Sequence, residues 1–213
     1  LKMLVLVDLT LSQDIVDRER DAVKEMSTLF TNNNLFVSFI THKRDVSGMV
    51  APSEYVLDNY FTSVDAPEKN LFSSVSNGLD LLADENGQFS DVSERILMVL
   101  SDGQIFNDDS FSVDANYFKI KQELLAKSLR TESSHIMIYV DMDSSDDDNN
   151  EAGQFLETIC SNTDGESYSE FDWVRIEDDI FNKMKINYTD YRFEFTNPDN
   201  KLYSGFGKTL QID

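Results

Sequence analysis

Residues 3–12 read Met3-Leu4-Val5-Leu6-Val7-Asp8-Leu9-Thr10-Leu11-Ser12: five apolar residues run directly into an aspartate with hydroxyls at alternate positions after it. An apolar run of strand length with no polar face is what a strand needs when helices cover both sides of its sheet. The same design recurs in Ile96 to Leu100 (ILMVL), followed by Ser101-Asp102-Gly103, and in Ile136 to Val140 (IMIYV). Leu35 to Ile40 (LFVSFI) is a fourth such run.

Between these runs the apolar residues change to helical spacing. Ile15, Val16, Ala22, Val23, Met26, Leu29 and Phe30 mark one helix, closed by Asn32, Asn33 and Asn34. Leu71, Phe72, Val75, Leu79 and Leu82 mark the next, and Tyr117, Phe118, Ile120, Leu124, Leu125 and Leu129 a third. A short helix at Phe155, Leu156, Ile159 and Cys160, a strand near Tyr168 and a helix around Ile180 to Met184 follow. Tyr55 to Phe61 reads as an edge strand after Pro52. Strand–helix alternation of this kind predicts an α/β fold, a doubly wound and mostly parallel sheet flanked by helices on both faces. Tyr191 to Thr196 alternates with period two, then comes NPDNK and a second run from Lys208 to Ile212, which predicts a β-hairpin over about 191–212. With no repeat and no linker composition, the expectation is one domain over 1–213.

Forty acids against eighteen bases give a formal charge of −22. That field repels phosphate, so nucleic acid and anionic membrane surfaces are poor partners. No apolar run approaches the ~20 residues of a spanning helix, so direct membrane insertion is not expected. Cys160 is the single cysteine, which excludes an intrachain disulfide and a cysteine-based zinc site. Leu1 to Val7 already reads as a core strand, so any targeting signal is expected outside these residues.

Open α/β sheets take their ligands at the carboxyl ends of the strands, and three polar features are expected on that rim. They are Asp8-Leu9-Thr10-Leu11-Ser12, Ser101-Asp102-Gly103, and Pro67-Glu68-Lys69-Asn70 leading into the helix from Leu71. Asp8, Thr10, Ser12 and Asp102 form a set of hard oxygen donors of the kind magnesium favours at ~2.0–2.1 Å, with water completing an octahedron. Gly103 allows the tight turn behind Asp102. A biased stretch, DMDSSDDDNNE from Asp141 to Glu151, carries Asp141, Asp143, Asp146, Asp147 and Asp148 into an acidic loop on the same rim. That loop is read as a solvated insertion or a docking surface for a basic partner, and it lacks the glycine of a calcium-binding loop.

The ordered set carries a resemblance. DLTLS after a buried strand resembles the D-x-S/T-x-S motif of von Willebrand factor A domains, and ILMVLSDG resembles the later strand of that family with its metal-site aspartate. KNLFSSVSNGLDLL resembles the helix after the third metal loop, FLETICSNTDGESYSEF the late helix–turn–strand, and YRFEFTNPDNKLYSGFGKTLQI the ending of bacterial members. The resemblance spans almost the whole chain. It implies a Rossmann-like fold with a metal-ion-dependent adhesion site for Mg2+, Mn2+ or Ca2+, open to an acidic side chain of a protein ligand. It also implies a non-enzymatic adhesion role and an extracellular, cell-surface or periplasmic location.

One position departs from that pattern. The family has a threonine where this chain has Lys69, and lysine donates hydrogen bonds but accepts none, so it cannot ligate a cation. Two readings follow: the Lys69 ammonium reaches Asp8 or Asp102 and substitutes for the cation, or Asn70 or Ser73 supplies the lost oxygen. The first turns the rim into a site for structural assembly or for a partner's carboxylate met by the ammonium. An enzyme reading, a haloacid-dehalogenase-like phosphatase, is weaker because Thr10 stands where that family has a second aspartate. His42, His135 and Cys160 read as structural, Tyr60, Phe61 and Phe106 as core aromatics bordering the site, and Arg18, Glu19 and Arg20 as a solvated helix face.

Overall fold

The computed structural model describes residues 1–30, 34–42, 48–92, 94–105, 115–129, 135–143 and 151–187. The chain divides into two units, Leu1–Ile176 and Glu177–Asp213. In the second unit only the later turns of one helix are described, and the expected hairpin over 191–212 lies outside the described residues.

The first unit is built in the order β1 (Lys2–Asp8), α1 (Gln13–Leu29), β2 (Leu35–Ile40), α2 (Glu54–Asn59), α3 (Leu71–Ala83), β3 (Arg95–Ser101), α4 (Ala115–Ser128), β4 (His135–Asp141), α5 (Glu151–Asn162) and β5 (Glu166–Tyr168). Helix α6 (Trp173–Asn187) begins in this unit and runs into the second. The five strands form one parallel sheet in the order β2-β1-β3-β4-β5. The sheet order reverses direction between β1 and β3, where Val7 lies opposite Leu100. The chain continuing from these two strands therefore parts to either side at their carboxyl ends, the place where open α/β sheets hold their functional groups.

All seven residues of β1 are buried, which is why that run could be so uniformly apolar. Successive side chains point to opposite faces. Leu4 and Leu6 join a core with Phe36, Leu97, Val99 and Met137, into which α3, α4 and α5 insert Leu71, Val75, Leu82, Leu124, Leu156 and Ile159. Ile15, Val16, Val23 and Met26 are the buried stripe of α1. Lys2 is buried along its stem but snorkels, its ammonium meeting the Gln88 carbonyl at 2.7 Å and Asp91 at 2.6 Å.

Two local expectations change. Residues around Tyr55 form helix α2, not an edge strand, because Pro52 and Ser53 start a helix: the Ser53 hydroxyl accepts the Val56 N–H at 3.3 Å. On α4 only Leu124 of the expected stripe is fully buried, while Phe118 and Leu129 are exposed. The fourteen-residue α4 thus has a narrower apolar face than its sequence spacing predicts.

Candidate functional site

The site is a buried cluster built from the ends of β1 and β3 and the approach to α3. Asp8 ends β1 with no exposure at all. Its Oδ1 accepts the backbone N–H of Thr10 at 3.0 Å and the Thr10 hydroxyl at 2.6 Å. Its Oδ2 accepts the Ser101 hydroxyl at 2.6 Å and the Lys69 ammonium at 3.2 Å. Asp8 is thus met by four donors, the behaviour of a carboxylate used as an acceptor on both oxygens.

Asp102 faces it from the end of β3. Its Oδ1 accepts Lys69 Nζ at 2.6 Å and the Gln104 N–H at 2.9 Å. Gly103 follows with φ of 71°, a left-handed conformation that glycine adopts without the steric cost other residues meet, and its N–H donates to Ser101 Oγ at 3.2 Å. The sequence expectation for Gly103 is met.

Lys69 is delivered by a backbone pinned on both sides. Its N–H donates to the Ile105 carbonyl at 2.9 Å, and it bridges antiparallel to His42 beyond the end of β2. Asn70 is turned the other way, its Oδ1 accepting the Thr41 N–H at 3.0 Å. Asn70 therefore fastens the approach to α3 onto β2. The Lys69 ammonium sits between the two aspartates with its side chain fully buried. Burial opposes its charge, but Asp8 and Asp102 outweigh that cost and hold the ammonium above the ordinary lysine range. Burial pushes the Asp102 carboxyl upward, an effect that Lys69 offsets only in part.

A fourth ionisable group lies beneath. Glu19 of α1 is completely buried; its Oε1 accepts the Asp8 N–H at 3.4 Å, and its Oε2 has no hydrogen-bond partner among the described residues. Burial first, then Asp8, raise this carboxyl well above the usual range. This corrects the reading of Glu19 as part of a solvated face. It falls three residues after Val16 and three before Ala22, on the buried stripe of the helix, and that spacing was the available signal. Ser101 was also missed as a donor to Asp8, although it stands next to Asp102.

The remaining candidates separate from this cluster. Ser12 is exposed at the N-cap of α1, and its side chain makes no capping hydrogen bond. Asp141 ends β4; its Oδ1 accepts the Asp143 N–H at 3.0 Å, and burial raises its carboxyl. Asp146, Asp147, Asp148 and Phe106 lie outside the described residues. Phe61 is core, whereas Tyr60 is 44% exposed. His135 hydrogen-bonds the Leu82 carbonyl at 2.9 Å and Cys160 is buried, both structural as expected. Among the described residues no three His, Cys, Asp or Glu side chains gather as a metal-holding group, and no helix is long and apolar enough to cross a membrane.

Fold and site define an open, all-parallel α/β domain with an ammonium–carboxylate cluster at its topological switch point. No family model and no curated protein matches the chain. Solved structures do. The pilus adhesin SpaC from Lactobacillus rhamnosus GG, in its open conformation, is similar over 87% of this chain and 30% of its own, at 11% identity and a TM-score of 0.51. The PilB minor pilin from Streptococcus sanguinis is similar over 86% of this chain and 60% of its own, at 9% identity and a TM-score of 0.47. The chain thus spans less than a third of the SpaC chain, and at such identity the likeness shows the fold.

Proposed function

We propose that this chain is a von Willebrand factor A-like protein-binding domain of cell-surface adhesion or assembly, in which Lys69 takes the part of the divalent cation. The carrying observation is the Lys69 ammonium 2.6 Å from Asp102 and 3.2 Å from Asp8. A magnesium ion would need to lie ~2.0–2.1 Å from the same oxygens. With a fixed positive charge already between them, the residues present do not fit a divalent cation. Ser12, exposed at the N-cap of α1, and the Thr10 hydroxyl, donated to Asp8, point the same way. Similarity in fold to a pilus adhesin supports an adhesive or assembly role on the cell surface.

The same geometry weighs against phosphoryl transfer. A nucleophilic carboxylate must reach its substrate. Asp8 is wholly buried and occupied by four donors. The rim therefore serves as a fixed platform, and ligand contacts come from the loops around it.

Calorimetry with magnesium, manganese and calcium tests the reading. The expected result is no saturable binding to the native chain, and tight binding of any of the three would overturn it. Turnover of an aryl phosphate, abolished in Asp8→Asn, would overturn the non-enzymatic assignment.

A further inference from the structure

From the segment beside the rim we infer that residues 53–65 form the docking surface of this domain, and that it receives a cationic, Arg- or Lys-bearing segment of a partner protein. This rests on the protein-binding reading above and gives that reading a surface and a partner chemistry.

The first observation is exposed aromatic area held rigidly. Tyr55 is 67% exposed, Tyr60 44% and Val64 36%, and the two tyrosine rings meet edge to face at 6.1 Å. Tyr60 stacks on Phe39 of β2 with centroids 6.0 Å apart, and Phe39 in turn meets Phe61 at 5.5 Å. Beyond α2 the backbone is tied to the loop after β1: the Val64 N–H donates to the Leu9 carbonyl at 2.7 Å and the Ser63 N–H to Gln13 at 2.9 Å. The Ser63 hydroxyl also donates to the Leu11 carbonyl. An aromatic surface fixed in this way loses little side-chain freedom on binding, and large rigid rings are favoured contact residues in interfaces.

The second observation is charge. Residues 48–68 contain no lysine or arginine, while Glu54, Asp58 and Asp65 are exposed. The next base, Lys69, is turned inward and spent on Asp8 and Asp102. Among the described residues no base pairs with Glu54, Asp58 or Asp65, so tyrosine faces and carboxylates are presented together. A guanidinium or ammonium is attracted by both, through the ring quadrupole and through direct ion pairing. An acidic partner would be repelled, and a purely apolar one would leave the carboxylates desolvated and unpaired.

The test is amide chemical-shift mapping of the isotopically labelled protein against a synthetic peptide of alternating arginine and glycine. Shifts should concentrate in residues 53–65. Combining Tyr55→Ser with Asp58→Lys should weaken binding at least fivefold, taking about two- to fivefold from the lost cation–π contact alone. Phe118→Ser, an exposed aromatic on α4, should leave affinity unchanged. Shifts spread over α1 and the Asp141 region, or unaltered affinity in the double variant, would overturn the docking surface while leaving the role of Lys69 intact. Magnesium binding to the native chain with the peptide map unchanged would overturn the role of Lys69 and leave the surface standing.

Discussion

Replacing Lys69 by methionine keeps a long unbranched side chain between the two aspartates and removes only its charge and donors. At an effective dielectric of about 20, contacts of 2.6 and 3.2 Å carry roughly 6 and 5 kcal/mol of Coulomb attraction. Desolvation of the ammonium takes several kcal/mol back, and breaking a buried pair from one side costs about 3–5 kcal/mol net. For a domain of this size that corresponds to a fall in Tm of about 6–20 °C. Thermal denaturation of Lys69→Met, Asp102→Asn and the double variant reads the effect. Once the ammonium is gone, Asp102→Asn removes one of two mutually repelling carboxyls. The double variant should therefore be more stable than the two single losses added together. A Lys69→Met Tm within 2 °C of the native value, or strictly additive losses, would refute the reasoning; either result would mean the ammonium is not coupled to the aspartates.

Glu19→Gln should stabilise the domain at neutral and alkaline pH and change little below about pH 4.5, measured as Tm against pH. The sign follows from a folded-state carboxyl raised above its ordinary value of 4.5: the folded chain holds this proton more tightly, so native stability falls as pH rises above that value, until the folded carboxyl itself ionises. Lys69 works at the other end: its raised folded value gives stabilisation that is complete below the ordinary value of 10.5 and is lost as pH climbs through the folded value, seen as alkaline unfolding. Ser101→Ala removes a donor to Asp8 and an acceptor from Gly103, and should cost about 1–3 kcal/mol in denaturant unfolding. Gly165→Ala would set a methyl 1.7 Å from the Met137 carbonyl oxygen, an unyielding backbone contact, and should cost about 3 kcal/mol or more by the same assay. Ser12→Ala should shift stability by less than about 0.5 kcal/mol, since its side chain forms no capping bond.

The sheet was legible because its strands are covered on both faces, and such burial leaves a mark in the sequence. The MLVLV, LFVSFI, ILMVL and IMIYV runs all fall inside observed strands. Asp8 and Asp102 were legible as a pair because Asp8 follows its run directly and Asp102 stands one residue beyond the end of its own, so the parallel register that sets Val7 opposite Leu100 carries both to the same rim. The inward course of Lys69 was open in sequence: its reach depends on the backbone ties to Ile105 and His42, contacts far apart along the chain. Glu19 escaped notice for a different reason. Glutamate at a core position contradicts the hydrophobic pattern, and only three-dimensional proximity to Asp8 shows why it is there. Helix α2 was misread because aromatic residues favour strands in general, whereas here a serine cap decided the local geometry.

The cluster holds one ammonium against two carboxylates almost out of reach of solvent, while most of the other acids among the described residues face water. Dissolved ions screen exposed charges over roughly 8–10 Å at moderate ionic strength and act far less on buried pairs. Raising ionic strength should then relieve the mutual repulsion of the surface without loosening the rim, and the domain would become firmer in brine than in dilute buffer.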